Sequence, residues 1–161
     1  MVSKHINNGD LLVKLVYFMG EQSKYRLKTD PDGRIGRECT NASCKAYFKV
    51  DECQQDSDEL TCPVCGTKND CKKFTTLPQI DYINSLIFNR DSCSIAPGRR
   101  LKAHPCRDYV ELPARHTYQC DACSRKFGID EKPPAVCPYC GSAHEHIHEV
   151  HPGDLRSGAN Q

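Results

Sequence analysis

Apolar positions are sparse along this chain and fall into short sets. In "TLPQIDYINSLIFNR", residues 76–90, Ile80, Ile83 and Ile87 recur at helical spacing, while Thr76 and Gln79 form a capping box with Pro78 in the first turn. That segment predicts a helix. Residues 10–20, "DLLVKLVYFMG", offer Asp10 as an N-cap and Gly20 as a stop, which favours a helix, although Val13, Val16, Tyr17 and Phe18 suit a strand equally well. "KYRLKTDPDGRIGREC" predicts a strand, a Pro-Asp-Gly turn and a second strand that leads into Cys39. Near the other end "HEHIHEV" alternates, which predicts a strand with His144, His146 and His148 on one face.

The same stretch contains His-Glu-x-x-His at His144, Glu145 and His148, which on a helix would supply two zinc ligands and the general base of a metalloprotease. A strand separates the two histidines by about 13 Å, too far to share an ion held at about 2.1 Å. A helix would have only ten residues, 142–151, between Gly141 and Pro152, with little chain beyond to supply a third ligand. The strand reading makes the histidines a solvated face rather than a peptidase site.

Composition narrows the class. With 161 residues, 38% hydrophobic and no Trp, the chain has little material for one large core, whereas its twelve cysteines favour small stapled units. The N-terminal apolar run is short and interrupted by Lys14, so neither a secretory signal nor a membrane span is expected. The expected compartment is a reducing cytoplasm, which favours metal ligation over disulfides.

Spacing supports ligation. Cys39-x4-Cys44 with Cys62-x2-Cys65, and Cys120-x2-Cys123 with Cys137-x2-Cys140, make two quartets of the kind that bind one tetrahedral Zn²⁺ each. Both second pairs read Cys-Pro-x-Cys-Gly, where Pro63 and Pro138 pre-set φ and Gly66 and Gly141 tolerate a left-handed backbone. "CKAYFKVD" from Cys44 aligns with "CSRKFGID" from Cys123, matching Phe48 to Phe127, Val50 to Ile129 and Asp51 to Asp130, so the units read as duplicates.

These motifs resemble the zinc-ribbon family, in which two knuckles cap a small antiparallel sheet, and the resemblance covers about residues 34–74 and 116–150. The order "IGREC", "YFKV", "CPVCG", a Gln-containing helix, "CDAC" and "CPYCG" is also similar to bacterial twin zinc-ribbon proteins of unassigned activity. The expected fold is a small, mostly β, metal-stabilised protein: an N-terminal segment (1–33), a first ribbon (34–75), a helix and Pro/Arg-containing connector (76–116), a second ribbon (117–151) and a tail (152–161). The helix is expected to pack the ribbons together.

Cys53, Cys71, Cys93 and Cys106 lie outside the quartets and read as small buried hydrophobes or free surface thiols; a third site with His104 and Cys106 has no knuckle spacing to support it. The formal net charge is +1, and eight thiolates with two Zn²⁺ would bring the loaded protein to about −3, which excludes strong non-specific nucleic-acid binding. The one cationic cluster, Arg99, Arg100 and Lys102, together with Arg125 and Lys126, marks the positions where phosphate contact is expected. Closed four-thiolate sites leave a metal no open position, so an enzyme is not expected, and no small-molecule substrate is evident. Two functions follow: a ribbon associated with nucleic-acid transactions through weak direct contact, which the family resemblance implies, or an adaptor that presents its ribbons to a protein partner.

Overall fold

The structure, a computed structural model, describes residues 26–52, 58–94 and 108–151, with side chains described throughout except at 87–94. The chain divides into two units, one formed by 1–27 and 77–109 and the other by 28–76 and 110–161. The first unit contributes helix α1, Leu77–Ser94, in which Ile80 and Gln79 are buried; the rings of Tyr82 and Tyr109 meet edge to face at 5.3 Å. Thr76 immediately precedes the helix. The helix runs four residues past 90 because no Gly or Pro interrupts the chain before Pro97. The segment 10–20 lies outside the described residues. No helix among the described residues is long and apolar enough to cross a membrane.

The second unit is mostly β. Strands β1 (Arg34–Glu38), β2 (Tyr47–Asp51), β5 (His116–Cys120), β6 (Lys126–Ile129) and β7 (Ile147–Glu149) form one antiparallel sheet in the order β1-β2-β6-β5-β7. Strands β3 (Glu59–Thr61) and β4 (Lys68–Asp70) form a separate hairpin. β1 with β2 belongs to the first cysteine quartet and β5 with β6 to the second, so the two ribbons are joined strand to strand. The joining pair is β2–β6, with Phe48 opposite Ile129 and Lys49 opposite Gly128. Because Phe48 matches Phe127 in the repeat, this register relates the halves by an approximate twofold axis running between Lys49 and Gly128.

Alternation along the strands sends Phe48, Val50, Phe127 and Ile129 to one face, where they join Leu60, Phe74, Ile147 and five buried cysteines in a single core. Phe74 packs edge to face on Phe48 at 5.7 Å, and Tyr118 stacks on Phe127 at 5.9 Å.

Two local expectations are corrected. Residues 26–30 form no strand. The Asp30 carboxylate instead accepts hydrogen bonds from the N–H groups of Asp32 (3.0 Å) and Arg34 (2.8 Å), an Asx-type turn that Gly33 completes at φ 79°. The histidine stripe does not form either: His144–His146 is a 3₁₀ turn and the last strand begins only at Ile147. The chain leaving the second knuckle first closes the bridge Val136↔Ala143 and must turn before Ile147 can pair with Cys120. His144 then hydrogen-bonds the Pro134 carbonyl through Nδ1 (2.9 Å), while His148 Nδ1 faces Asp121 at 3.2 Å.

Candidate metal centres

All four knuckles share one local geometry. The N–H of each leading cysteine donates to a carbonyl beyond the pair: Cys39 to Ala46, Cys62 to Thr67, Cys120 to Arg125 and Cys137 to Ser142 (2.8–3.0 Å). The residue after each trailing cysteine is left-handed: Lys45 (φ 47°), Gly66 (76°), Ser124 (60°) and Gly141 (72°). The glycines at Gly66 and Gly141 were legible in advance; Lys45 and Ser124 adopt the same conformation without glycine, at the cost of crowding their Cβ. The longer Cys39–Cys44 spacing is absorbed by a turn in which Asn41 accepts from the N–H groups of Cys44, Lys45 and Ser43.

The predicted ligands come together as two groups, Cys39, Cys44, Cys62 and Cys65, and Cys120, Cys123, Cys137 and Cys140. Within each, every Sγ lies within 4.8 Å of the others. Neighbouring sulfurs are 3.5 Å (Cys39–Cys65), 3.8 Å (Cys44–Cys62), 3.7 Å (Cys120–Cys140) and 3.7 Å (Cys123–Cys137) apart. A disulfide needs about 2.05 Å. A tetrahedral ion with metal–sulfur bonds of about 2.3 Å sets its ligands about 3.8 Å apart. The donor set therefore fits a metal in each group, and these two quartets are the metal-competent clusters found among the described residues.

Each site has a dry side and a wet side. Burial pushes the thiols of Cys39, Cys62, Cys123 and Cys137 up, so these give up protons only to something that compensates them, which a cation does. On the exposed side, burial at Cys65 is outweighed by the hydroxyl and N–H of Thr67, and its pKa is lowered to about 6. Cys140 repeats this with Ser142, again lowered to about 6. The two hydroxyls lie 3.1 Å from their sulfurs.

The sites are physically linked. The N–H of Thr61 donates to Pro138 O (2.9 Å) and that of Val136 to Pro63 O (3.2 Å), a reciprocal pair between the two Cys-Pro-x-Cys turns. A buried ionic cluster sits on the seam, where Lys49 Nζ lies 2.9 Å from Glu111 Oε2 and 3.4 Å from Asp30 Oδ2, with all three side chains at most 3% exposed. The hydroxyl of Tyr47 also donates to Glu111 (2.9 Å), whereas Asp30 Oδ2 is met by the ammonium charge without a hydrogen bond. Sequence reasoning missed this cluster. Its signal was present, since Asp30 and Glu111 each stand nine residues ahead of the first cysteine of their quartet.

Of the residues expected to touch phosphate, Arg99, Arg100 and Lys102 lie outside the described residues. Arg125 stacks its guanidinium 3.5 Å from the Tyr139 ring centroid and pairs with Asp51 at 3.4 Å, while Lys126 is half-buried. Cys71 is 1% exposed, in keeping with its reading as a buried residue, but it is disulfide-bonded, which neither the buried-hydrophobe nor the free-thiol reading expected. Cys53, Cys106 and His104 lie outside the described residues, as does the side chain of Cys93.

No protein family, curated protein or solved structure matches the chain in comparisons of sequence and fold. Among the described residues, fold and site define a small, mostly β structure with one α-helix and two four-cysteine groups able to hold metal ions.

Proposed function

We propose that the chain is a non-catalytic twin zinc-ribbon module that works by docking a protein partner. The observation that carries this reading is the pair of four-cysteine groups, one on each of two ribbons that share one sheet. Four sulfur ligands at tetrahedral spacing select Zn²⁺ and leave it no position for water or substrate, which is the arrangement of a structural ion. The eight free cysteines of the two groups favour a reducing, cytoplasmic setting, and the Cys71 disulfide weighs against it.

The docking reading is favoured by Val110 and Leu112, which are 78% and 69% exposed on either side of the buried Glu111. Net charge near zero and an Arg125 already engaged by Tyr139 and Asp51 weigh against a phosphate-binding face. A second reading, weak nucleic-acid contact within nucleic-acid transactions, draws on the cations Arg99, Arg100 and Lys102, with Lys126 beside the second site. About three to five contacts there would give a salt slope of roughly −3 to −4.5.

Elemental analysis combined with a nucleic-acid titration at low and moderate salt tests both statements. Two zinc ions per chain, with binding absent or lost at moderate salt, is the expected result. One ion or none would refute the zinc assignment, and sub-micromolar binding that survives moderate salt would replace docking with nucleic-acid recognition.

A further inference from the structure

The approximate twofold that relates the ribbons is broken at one surface position. On the second ribbon Tyr139, inside the "CPYCG" turn, lays its ring along the β2–β6 seam. Its hydroxyl donates to Lys126 O (2.8 Å) and accepts from the Asp51 N–H (3.0 Å). Continuing the β2–β6 register puts Asp51 opposite Lys126, so the phenol spans the point where the two strands separate. Arg125 covers the outer face of the ring and is held there by Asp51.

The repeat carries these positions onto the first ribbon with shorter side chains. Val64 stands where Tyr139 does and Ala46 where Arg125 does, while the Tyr47 carbonyl and the Asp130 N–H correspond to those of Lys126 and Asp51. Val64 has no hydroxyl to span them. A shallow, solvent-open cleft lies at this place, lined by Cys44, Lys45, Ala46, Tyr47, Val64 and Ile129 and rimmed by Glu131 and Lys132.

We infer that this cleft is a docking pocket for a tyrosine side chain of a partner polypeptide, held as the chain holds its own Tyr139. The apolar walls suit the ring, and the carbonyl of Tyr47 in the cleft wall corresponds in the repeat to the Lys126 carbonyl that accepts from the phenol on the other ribbon. Tyrosine serves in this way at interfaces because it buries a large rigid ring and keeps a polar tip. The inference takes from the docking reading only that the partner is a polypeptide. The test below uses the chain alone, so its failure leaves that reading standing.

The probe is p-cresol, the tyrosine side-chain analogue, titrated into the metal-loaded full chain while the methyl groups of Ala46, Val64 and Ile129 are followed by NMR. Saturable shifts centred on those three methyls are expected, with binding about tenfold weaker for 4-methylanisole, which cannot donate the hydrogen bond. Val64→Tyr should keep both metals, unfold at a higher temperature and show no p-cresol shifts. Absence of saturable shifts at these methyls, equal binding of the two probes, or a Val64→Tyr protein that still binds p-cresol would overturn the inference. A nucleoside monophosphate that shifts the same methyls while p-cresol does not would also overturn it, in favour of base stacking.

Discussion

Lys49 and Gly128 face each other across the β2–β6 pair and occupy the same position of the two repeats. One place on the axis holds a long buried cation; its duplicate holds no side chain at all. The asymmetry is steric, since a Cβ on Gly128 would collide with the Ala114 side chain and press on Lys49 Cβ at 3.3 Å. The Ala114 side chain already fills the space that a Cβ at 128 would take.

Gly128→Ala should therefore lower stability by about 1–3 kcal/mol, the usual range for overpacking a filled site. The backbone at Gly128 does not need a left-handed residue, so the effect isolates the side-chain clash. Thermal unfolding of the metal-loaded protein reads it, and an unchanged midpoint would show that Ala114 gives way freely.

Removing the cation at the axis leaves two buried carboxylates facing each other. Lys49→Met is expected to cost about 3–5 kcal/mol, because breaking a buried ion pair strands its partners. Replacing Asp30 by Asn, which keeps the Oδ1 acceptor for the Asp32 and Arg34 N–H groups, and Glu111 by Gln in the same chain should recover part of that loss, since neutral groups need no counter-charge. Denaturant titration of the single and triple variants decides it; a triple variant no more stable than the single one would count against the account.

The reciprocal bonds between Thr61 and Pro138 and between Val136 and Pro63 make each site part of the other's surroundings. Cys137→Ser should abolish metal binding at the second site and unfold that ribbon, because metal binding supplies much of a small ribbon's folding free energy. It should also weaken the first site, so that a chelator strips the remaining metal faster than from the parent protein. Metal content and chelation rate measure this. A first site that loses its ion at the parent rate would mean the two centres are independent.

Tyr139→Phe separates the hydroxyl from the ring. Losing the bridge between the Asp51 N–H and Lys126 O should destabilise by about 1–3 kcal/mol, since two main-chain groups lose their partner. Arg125→Ala should cost less, about 1 kcal/mol or under, because its stacking and its ion pair with Asp51 are both solvent-exposed. Equal losses for the two variants would show that ring stacking, not the hydroxyl, holds the seam.

Local order determined the parts of this protein. The eight ligands, the left-handed Gly66 and Gly141, the duplication of "CKAYFKVD" in "CSRKFGID" and the helix after Thr76 were all legible, because each depends on residues a few positions apart. The alternation in "HEHIHEV" misled, since the turn needed beside the second knuckle overrides a strand pattern of seven residues. Tertiary structure alone decided that the ribbons share a sheet, that Lys49 sits between Asp30 and Glu111, and that Arg125 is tied to Tyr139 and Asp51. Those contacts join residues 14 to 81 positions apart. Periodicity assigns a residue to a face of its own strand, but which strand lies alongside depends on the packing free energy of the two halves together.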